Sequence, residues 1–146
     1  MSIGKIYAIS ISAERGTLKK EVPECMVTPK GLEGDGHAGD WSRQITVLNY
    51  ESLKKSNEQN QLSMGPGDFA ENILIEGLDF SSIREGTRIR LGRDAVIEVS
   101  QIGKPDHPSI VTKTFGVSLL PKEGLFCRVI TPGRICTGDT AEIITE

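Results

Sequence analysis

Residues 31–44, Gly-Leu-Glu-Gly-Asp-Gly-His-Ala-Gly-Asp-Trp-Ser-Arg-Gln, constrain this chain more than any other stretch. Four glycines, three acids, one histidine, one arginine and the single tryptophan fall inside it. Glycine opens backbone angles closed to other residues and lets a backbone approach a ligand. Successive exposed N–H groups in such a loop can form an anion-binding concavity. The stretch runs directly into Gln44-Ile45-Thr46-Val47-Leu48, a β-branched run that reads as a buried strand. Polar side chains are therefore gathered just upstream of a rigid element, as in many functional sites. The plainer alternative is a tight turn whose acids face water.

The rest of the chain repeats the theme of short strands between turn signals. Ile3 to Ser12 alternates apolar and polar residues and reads as an opening strand. Glu21 to Pro29 is broken by Pro23 and Pro29, which allows at most an edge strand. Further strands are expected at Ile73–Ile75, Arg88–Gly92, Ala95–Ile102, Leu125–Ile130 and Ala141–Ile144. Asn49 can cap a short helix that runs to about Lys55 or Asn57. Ile110 to Leu120 is apolar and irregular. Turn signals every 8–12 residues with one modest helix predict an all-β protein, a barrel or sandwich. No linker or repeat interrupts residues 1–146, which are expected to form a single domain.

Composition excludes several classes. With 37% hydrophobic and 25% charged residues, the chain is expected to be soluble and globular. No apolar run is long enough to span a bilayer and no signal-peptide pattern opens the chain, so the cytoplasm is the expected location. A net charge of −3 without a basic stripe argues against a nucleic-acid partner. Cys25, Cys127 and Cys136 form no C-x-x-C pair, hence neither a disulfide framework nor a zinc site is expected. Cys127 and Cys136 lie in strand-like runs, where a cysteine is a small buried hydrophobe.

Three glycine-punctuated segments carry the polar side chains: 31–44, 65–72 and 103–109. Each adjoins a strand, so a barrel can bring all three to one rim. The first does not fit the calcium-loop spacing, because His37, Ala38 and Gln44 occupy its fifth, sixth and twelfth positions. His37 reads as a hydrogen-bonded loop histidine in preference to a lone metal ligand. Arg43 can fork onto a phosphate or pair with Asp40. Asn72 can read a heterocycle edge or brace a turn through side-chain-to-backbone bonds. Lys104, Asp106 and His107 fall within four residues, although chain neighbours point apart in extended backbone.

Taken together, these segments resemble the MOSC domain, named after the C-terminal domain of molybdenum-cofactor sulfurase. The resemblance runs through Gly31–Trp41 with Arg43-Gln44, Gly67–Ile73, Gly77-Leu78, Gly86-Thr87-Arg88, Gly103-Lys104, Pro121–Val129, Pro132-Gly133 and Gly138-Asp139. It implies a strand-rich β-barrel with one or two short helices. It also implies binding of the molybdenum cofactor (molybdopterin), a pterin dithiolene bearing a phosphate. Family members are proposed to carry sulfur or to reduce N-hydroxylated compounds, and both roles use a cysteine just after the Gly-Lys turn.

This chain departs from that pattern. It reads Gly103-Lys104-Pro105-Asp106-His107, with Asp106 where the family has cysteine. A carboxylate cannot carry a persulfide, which needs a thiolate. Asp106 can instead ligate molybdenum through oxygen, which makes it the expected metal and catalytic position. By the resemblance, Arg43, Asn72, Lys104 and His107 contact the cofactor, with Arg43 or Lys104 at the phosphate. Asp35, His37 and Asp40 shape the bordering loop, Trp41 anchors core or rim, and Arg128 is either a site residue or a strand-surface charge. The implied partners are the small-molecule cofactor, together with an acceptor molybdoenzyme or an electron-donor protein. A non-catalytic cofactor carrier is the alternative to a molybdenum-dependent oxidoreductase.

Overall fold

The computed structural model describes residues 2–15, 17–105, 110–116 and 118–144. Asp106 and His107 lie outside the described residues. The described residues form eleven strands: β1 (Ile3–Ile11), β2 (Lys20–Val22), β3 (Glu24–Thr28), β4 (Gly31–Leu32), β5 (Ile45–Asn49), β6 (Ile73–Glu76), β7 (Arg88–Leu91), β8 (Ala95–Ile102), β9 (Leu125–Thr131), β10 (Gly133–Cys136) and β11 (Thr140–Ile144). Helices α1 (Tyr50–Asn60), α2 (Ile110–Phe115) and α3 (Leu120–Glu123) complete the described elements with a 3-10 turn at Phe80–Ser82.

Seven strands close a barrel in the order β1-β6-β5-β9-β8-β7-β11, and β11 pairs back onto β1. Every pairing is antiparallel except β5 with β6. Parallel neighbours need a crossover, and α1 supplies it. Asn49 caps that helix by accepting from the Glu51 N–H at 2.9 Å. The barrel interior is filled by Ile6, Ile9, Val47, Ile73, Ile97 and Cys127, all at most 1% exposed. Small barrels are packed with side chains in this way, which confines ligand chemistry to the rims and outer face. The second sheet, β10-β3-β4, lays Cys25, Val27, Leu32 and Ile135 into the same core.

A bulge at Tyr7 shifts the β1 register between Ile6 and Ala8. Ile6 and Ile9 face the interior, whereas Ala8 joins an outer cluster with Leu48, Leu53, Phe69, Leu74 and Phe126 beneath the helices. Bulges re-aim side chains, and here the shift puts Ser10 on the outer face.

Four expectations need correction. β3 is the central strand of its sheet, because Pro23 and Pro29 fall just outside it and leave its N–H groups free to pair. Helix α1 continues to Asn60, ended by Gln61 in left-handed backbone whose N–H bonds the Asn57 carbonyl. The apolar 110–120 segment contains α2 and the start of α3, with Val111 and Leu120 buried against Phe126 and Leu48. Cys136 is only half-buried, whereas Cys127 is buried as expected and Cys25 is buried as well.

Candidate functional site

The described parts of the three glycine-rich segments meet at one end of the barrel. Lys19 joins the first to the second: its Nζ lies 2.8 Å from Asp35 Oδ1, and its N–H donates to the Gly67 carbonyl at 3.3 Å. Gly67 has φ +83°, and an added Cβ would collide with the Lys19 carbonyl oxygen. Only glycine fits that approach. Arg43 joins the first segment to the third. Its Nε donates to Gln101 Oε1 at 3.2 Å, and Gln101 Nε2 donates to the Gly103 carbonyl at 3.0 Å.

Phe126 is the floor at this junction. It is 3% exposed, and two cations lie over it. The Arg43 guanidinium is 5.3 Å from the ring centroid and Lys104 Nζ is 5.8 Å from it. Cations over an aromatic face are attracted by the ring quadrupole, which draws both side chains to this one ring. Arg43 therefore does not pair with Asp40, whose carboxylate lies 3.6 Å from the exposed Lys30 ammonium. Arg128 belongs elsewhere, 2.6 Å from Glu98 on the strand surface.

Beside the floor runs a polar row across the outer face. Thr46 is the register partner of Phe126. Its N–H and hydroxyl both reach Asn72 Oδ1, at 2.9 and 3.2 Å, and Asn72 Nδ2 donates to the Ser10 carbonyl at 3.1 Å. Asn72 is 1% exposed and straps three strands together. Ser10 is also 1% exposed, yet its Oγ has no hydrogen-bond partner among the described residues. Buried polar groups are nearly always satisfied, so an orphaned hydroxyl calls for a water or a ligand.

The second segment is braced by Glu71, whose two carboxylate oxygens accept from the Gly67 and Phe69 N–H groups at 2.7 and 3.1 Å. Burial pushes its carboxyl up to about 7, against the downward pull of those donors. In the first segment, Gln44 donates to the Pro29 and Gly39 carbonyls and accepts from the Val129 N–H, fastening the loop to β9. Trp41 is a rim anchor: its indole N–H donates to the His37 carbonyl at 2.7 Å, and the Arg15 guanidinium sits 4.5 Å from its ring centroid. Burial and then the Lys19 charge, with Arg15 and Lys104 adding to it, hold the His37 imidazole down at about 4, and Asp35 pulls the other way. His37 is thus neutral at pH 7.

Arg43, Lys104 and Asn72 come from the expected set and are brought to one end, while Asp106 and His107 lie outside the described residues. Lys19, Ser10, Gln101 and Phe126 were not anticipated. Lys19 sits beside Lys20 in a pair that reads as a solvated surface, and strand alternation marks Ser10 and Phe126 only as positions on a face.

The cysteines are no part of this site. Burial pushes Cys127 up beyond the range of a thiolate at neutral pH, and Cys25 is raised by the same cause. Cys136 lies beside the tight turn that bonds Ile6, toward the other end of β1 from Ser10. Among the described residues, no group of three His, Cys, Asp or Glu side chains is placed to hold a metal ion. Likewise no described helix is long and apolar enough to cross a membrane.

The MOSC domain family model matches residues 34–108, about half of the 146 residues, including the first two glycine-rich segments from Gly34 onward. Among solved structures, YiiM from Escherichia coli is 27% identical with a TM-score of 0.70, covering 97% of this chain and 70% of its own. YuaD from Bacillus subtilis is 20% identical with a TM-score of 0.76, covering 97% of this chain and 95% of its own, and shares the fold. A further crystal structure, described as a hypothetical protein, is 27% identical with a TM-score of 0.74 over 99% of this chain and 69% of its own. No curated protein matches the chain.

Proposed function

This chain belongs to the MOSC domain family, and on that premise we propose that it binds a phosphate-bearing molybdenum–pterin cofactor at the rim where Arg43 and Lys104 meet over Phe126. The observation that carries this reading is the approach of those two cations to one ring, with the orphaned Ser10 Oγ at the far end of the polar row. A phosphate asks for charge-assisted donors, and a guanidinium and an ammonium provide them. A pterin asks for polar atoms along its edge, and Ser10 Oγ is an unused one. The row from Ser10 to Phe126 crosses three inter-strand steps of about 4.8 Å each, comparable to the length of a pterin with a phosphorylated tail.

The donor set fits the organic part of the cofactor. Arg43 and Lys104 would hold the phosphate, Gln101 would fix the guanidinium plane, and Asn72 would keep Ser10 and Thr46 in register. Asp106 remains the proposed oxygen ligand to the metal and His107 a proposed neighbour. When bound, the cofactor supplies the redox chemistry, while the protein holds and orients it. The expected reaction is reduction of an N-hydroxylated substrate in the cytoplasm, with electrons from a donor protein.

Sulfur transfer is disfavoured by the cysteines themselves, since nucleophilic sulfur needs an accessible thiolate near the site. A second reading is favoured by aspartate at position 106: a carrier that hands the cofactor to an acceptor molybdoenzyme. Purification from a host that makes the cofactor tests both. Stoichiometric pterin and molybdenum, with metal lost selectively in Asp106→Ala, supports the enzyme. Pterin retained with metal indifferent to Asp106→Ala supports the carrier, and a folded protein without pterin overturns both readings.

A further inference from the structure

Lys19 makes an arrangement with no spare hydrogen bond. Its side chain is 1% exposed and faces Asp35, which is 0% exposed, at 2.8 Å. An ammonium has three donors and no acceptor. Three acceptors surround it: Asp35 Oδ1, Ser12 Oγ at 3.3 Å and His37 Nδ1 at 3.2 Å. Asp35 is occupied in turn, taking the Ser12 N–H on Oδ1 and the His37 N–H on Oδ2, each at 3.1 Å.

An ammonium can only donate, so His37 Nδ1 must accept and carries no proton. The other candidate partner for Nδ1 is Asp35 Oδ2, which lies 3.9 Å away, beyond hydrogen-bond reach. The neutral ring then has its single proton on Nε2. Nδ1 is turned inward to Lys19, while the side chain as a whole is 27% exposed. Among the described residues, the charges that act on this imidazole are those of Lys19, Arg15 and Lys104 against that of Asp35, so cations predominate.

We propose that Lys19 locks His37 as an Nε2–H donor, so that this site offers an anion a fixed neutral hydrogen bond instead of a metal-ligating nitrogen. The proposal rests on the reading of the rim as an anion site and adds to Arg43, Lys104 and Ser10 a group from the first glycine-rich segment. Lys19 is a positioning residue, acting only through the imidazole. A nitrogen that coordinates a metal must be free of its proton, and freeing Nε2 would move the proton to Nδ1, against the Lys19 ammonium. The lock thus selects the kind of ligand: phosphate or oxo oxygens are accepted, a cation is refused.

Nitrogen-15 NMR of histidine-labelled full-length protein tests this, with the His37 signals assigned by their loss in His37→Gln. At pH 7 the expected pattern is a neutral ring protonated on Nε2. Lys19→Met is expected to raise the titration midpoint or move the proton to Nδ1. A wild-type ring that is an imidazolium or carries its proton on Nδ1 overturns the lock, and this measurement needs no variant that has to fold without Lys19. Titration of histidine- and arginine-labelled protein with inorganic phosphate tests the ligand class. Phosphate is expected to shift Nε2–H together with Arg43 Nε, and His37→Leu to weaken binding about tenfold, while His37→Gln, which keeps an N–H, stays within about threefold. A phosphate response at Arg43 that spares His37 overturns this inference alone. No response at either residue overturns it together with the anion reading of the rim.

Discussion

Lys19 and Asp35 form an ion pair at 2.8 Å with both side chains out of contact with solvent. They come from different segments, so the pair ties the approach to β2 to the glycine-rich loop. Removing one partner strands the other charge in a dry site, which typically costs about 3–5 kcal/mol. Asp35→Ala is therefore expected to lower the urea-unfolding free energy by about that amount. A loss below about 1 kcal/mol would show that the pair is solvated in the working protein.

Glu71 and His37 make opposite contributions to the pH dependence of stability. Glu71 is raised to about 7 in the folded state, so between pH 4.5 and 7 the native state binds more protons than the unfolded one and stability falls as pH rises. The shift corresponds to about 3 kcal/mol across that window. His37 is lowered to about 4, so between about pH 4 and 6.5 the unfolded state binds more protons and stability rises with pH. The two slopes oppose each other between pH 4.5 and 6.5. Urea midpoints across this range are expected to climb more steeply with pH in Glu71→Gln than in wild type, and to fall more steeply in His37→Gln. Parallel profiles in all three proteins would contradict both assignments.

Gly67→Ala places a methyl group against the Lys19 carbonyl in backbone with φ +83°. Strained backbone of this kind costs about 1–3 kcal/mol, and displacing the Lys19 strand segment adds to it. The thermal midpoint should drop by several degrees. Gly65→Ala is the control, since its added Cβ meets nothing within 4 Å. Equal midpoints for the two variants would contradict the close approach.

Much of this architecture can be read from the chain, because strand alternation and glycine turns are local signals. Ile73–Ile75, Ala95–Ile102 and Ala141–Ile144 announce themselves by β-branched runs between breakers. The 110–120 segment does not, since its helices are short and owe their form to Val111 and Leu120 packing on Phe126, a tertiary cause. The site divides in the same way. Arg43 and Lys104 stand out as cations in glycine-rich segments, but their common approach to Phe126 depends on barrel closure. Lys19 is the least legible residue: beside Lys20 it reads as surface, and only the fold puts Asp35, Ser12 and His37 around its ammonium.

Arg43 is held in plane by Gln101 and over a ring by Phe126, a geometry suited to a guanidinium and not to a flexible ammonium. Arg43→Lys is accordingly expected to lose most of the phosphate affinity that Arg43→Met loses, despite retaining the charge. Calorimetric titration with inorganic phosphate checks this, and wild-type affinity in Arg43→Lys would show that charge alone suffices.

The most direct test of the central claim is a fluorescence titration with a pterin carrying a phosphorylated side chain, run beside its dephosphorylated counterpart. Wild type is expected to prefer the phosphorylated pterin by tenfold or more, each lost charge-assisted hydrogen bond being worth about 1.5–3 kcal/mol. In Arg43→Met/Lys104→Met that preference should vanish while the circular dichroism spectrum remains that of the folded protein. Equal affinity of the wild type for the two pterins, or a preference that survives in the double variant, would contradict a phosphate site over Phe126.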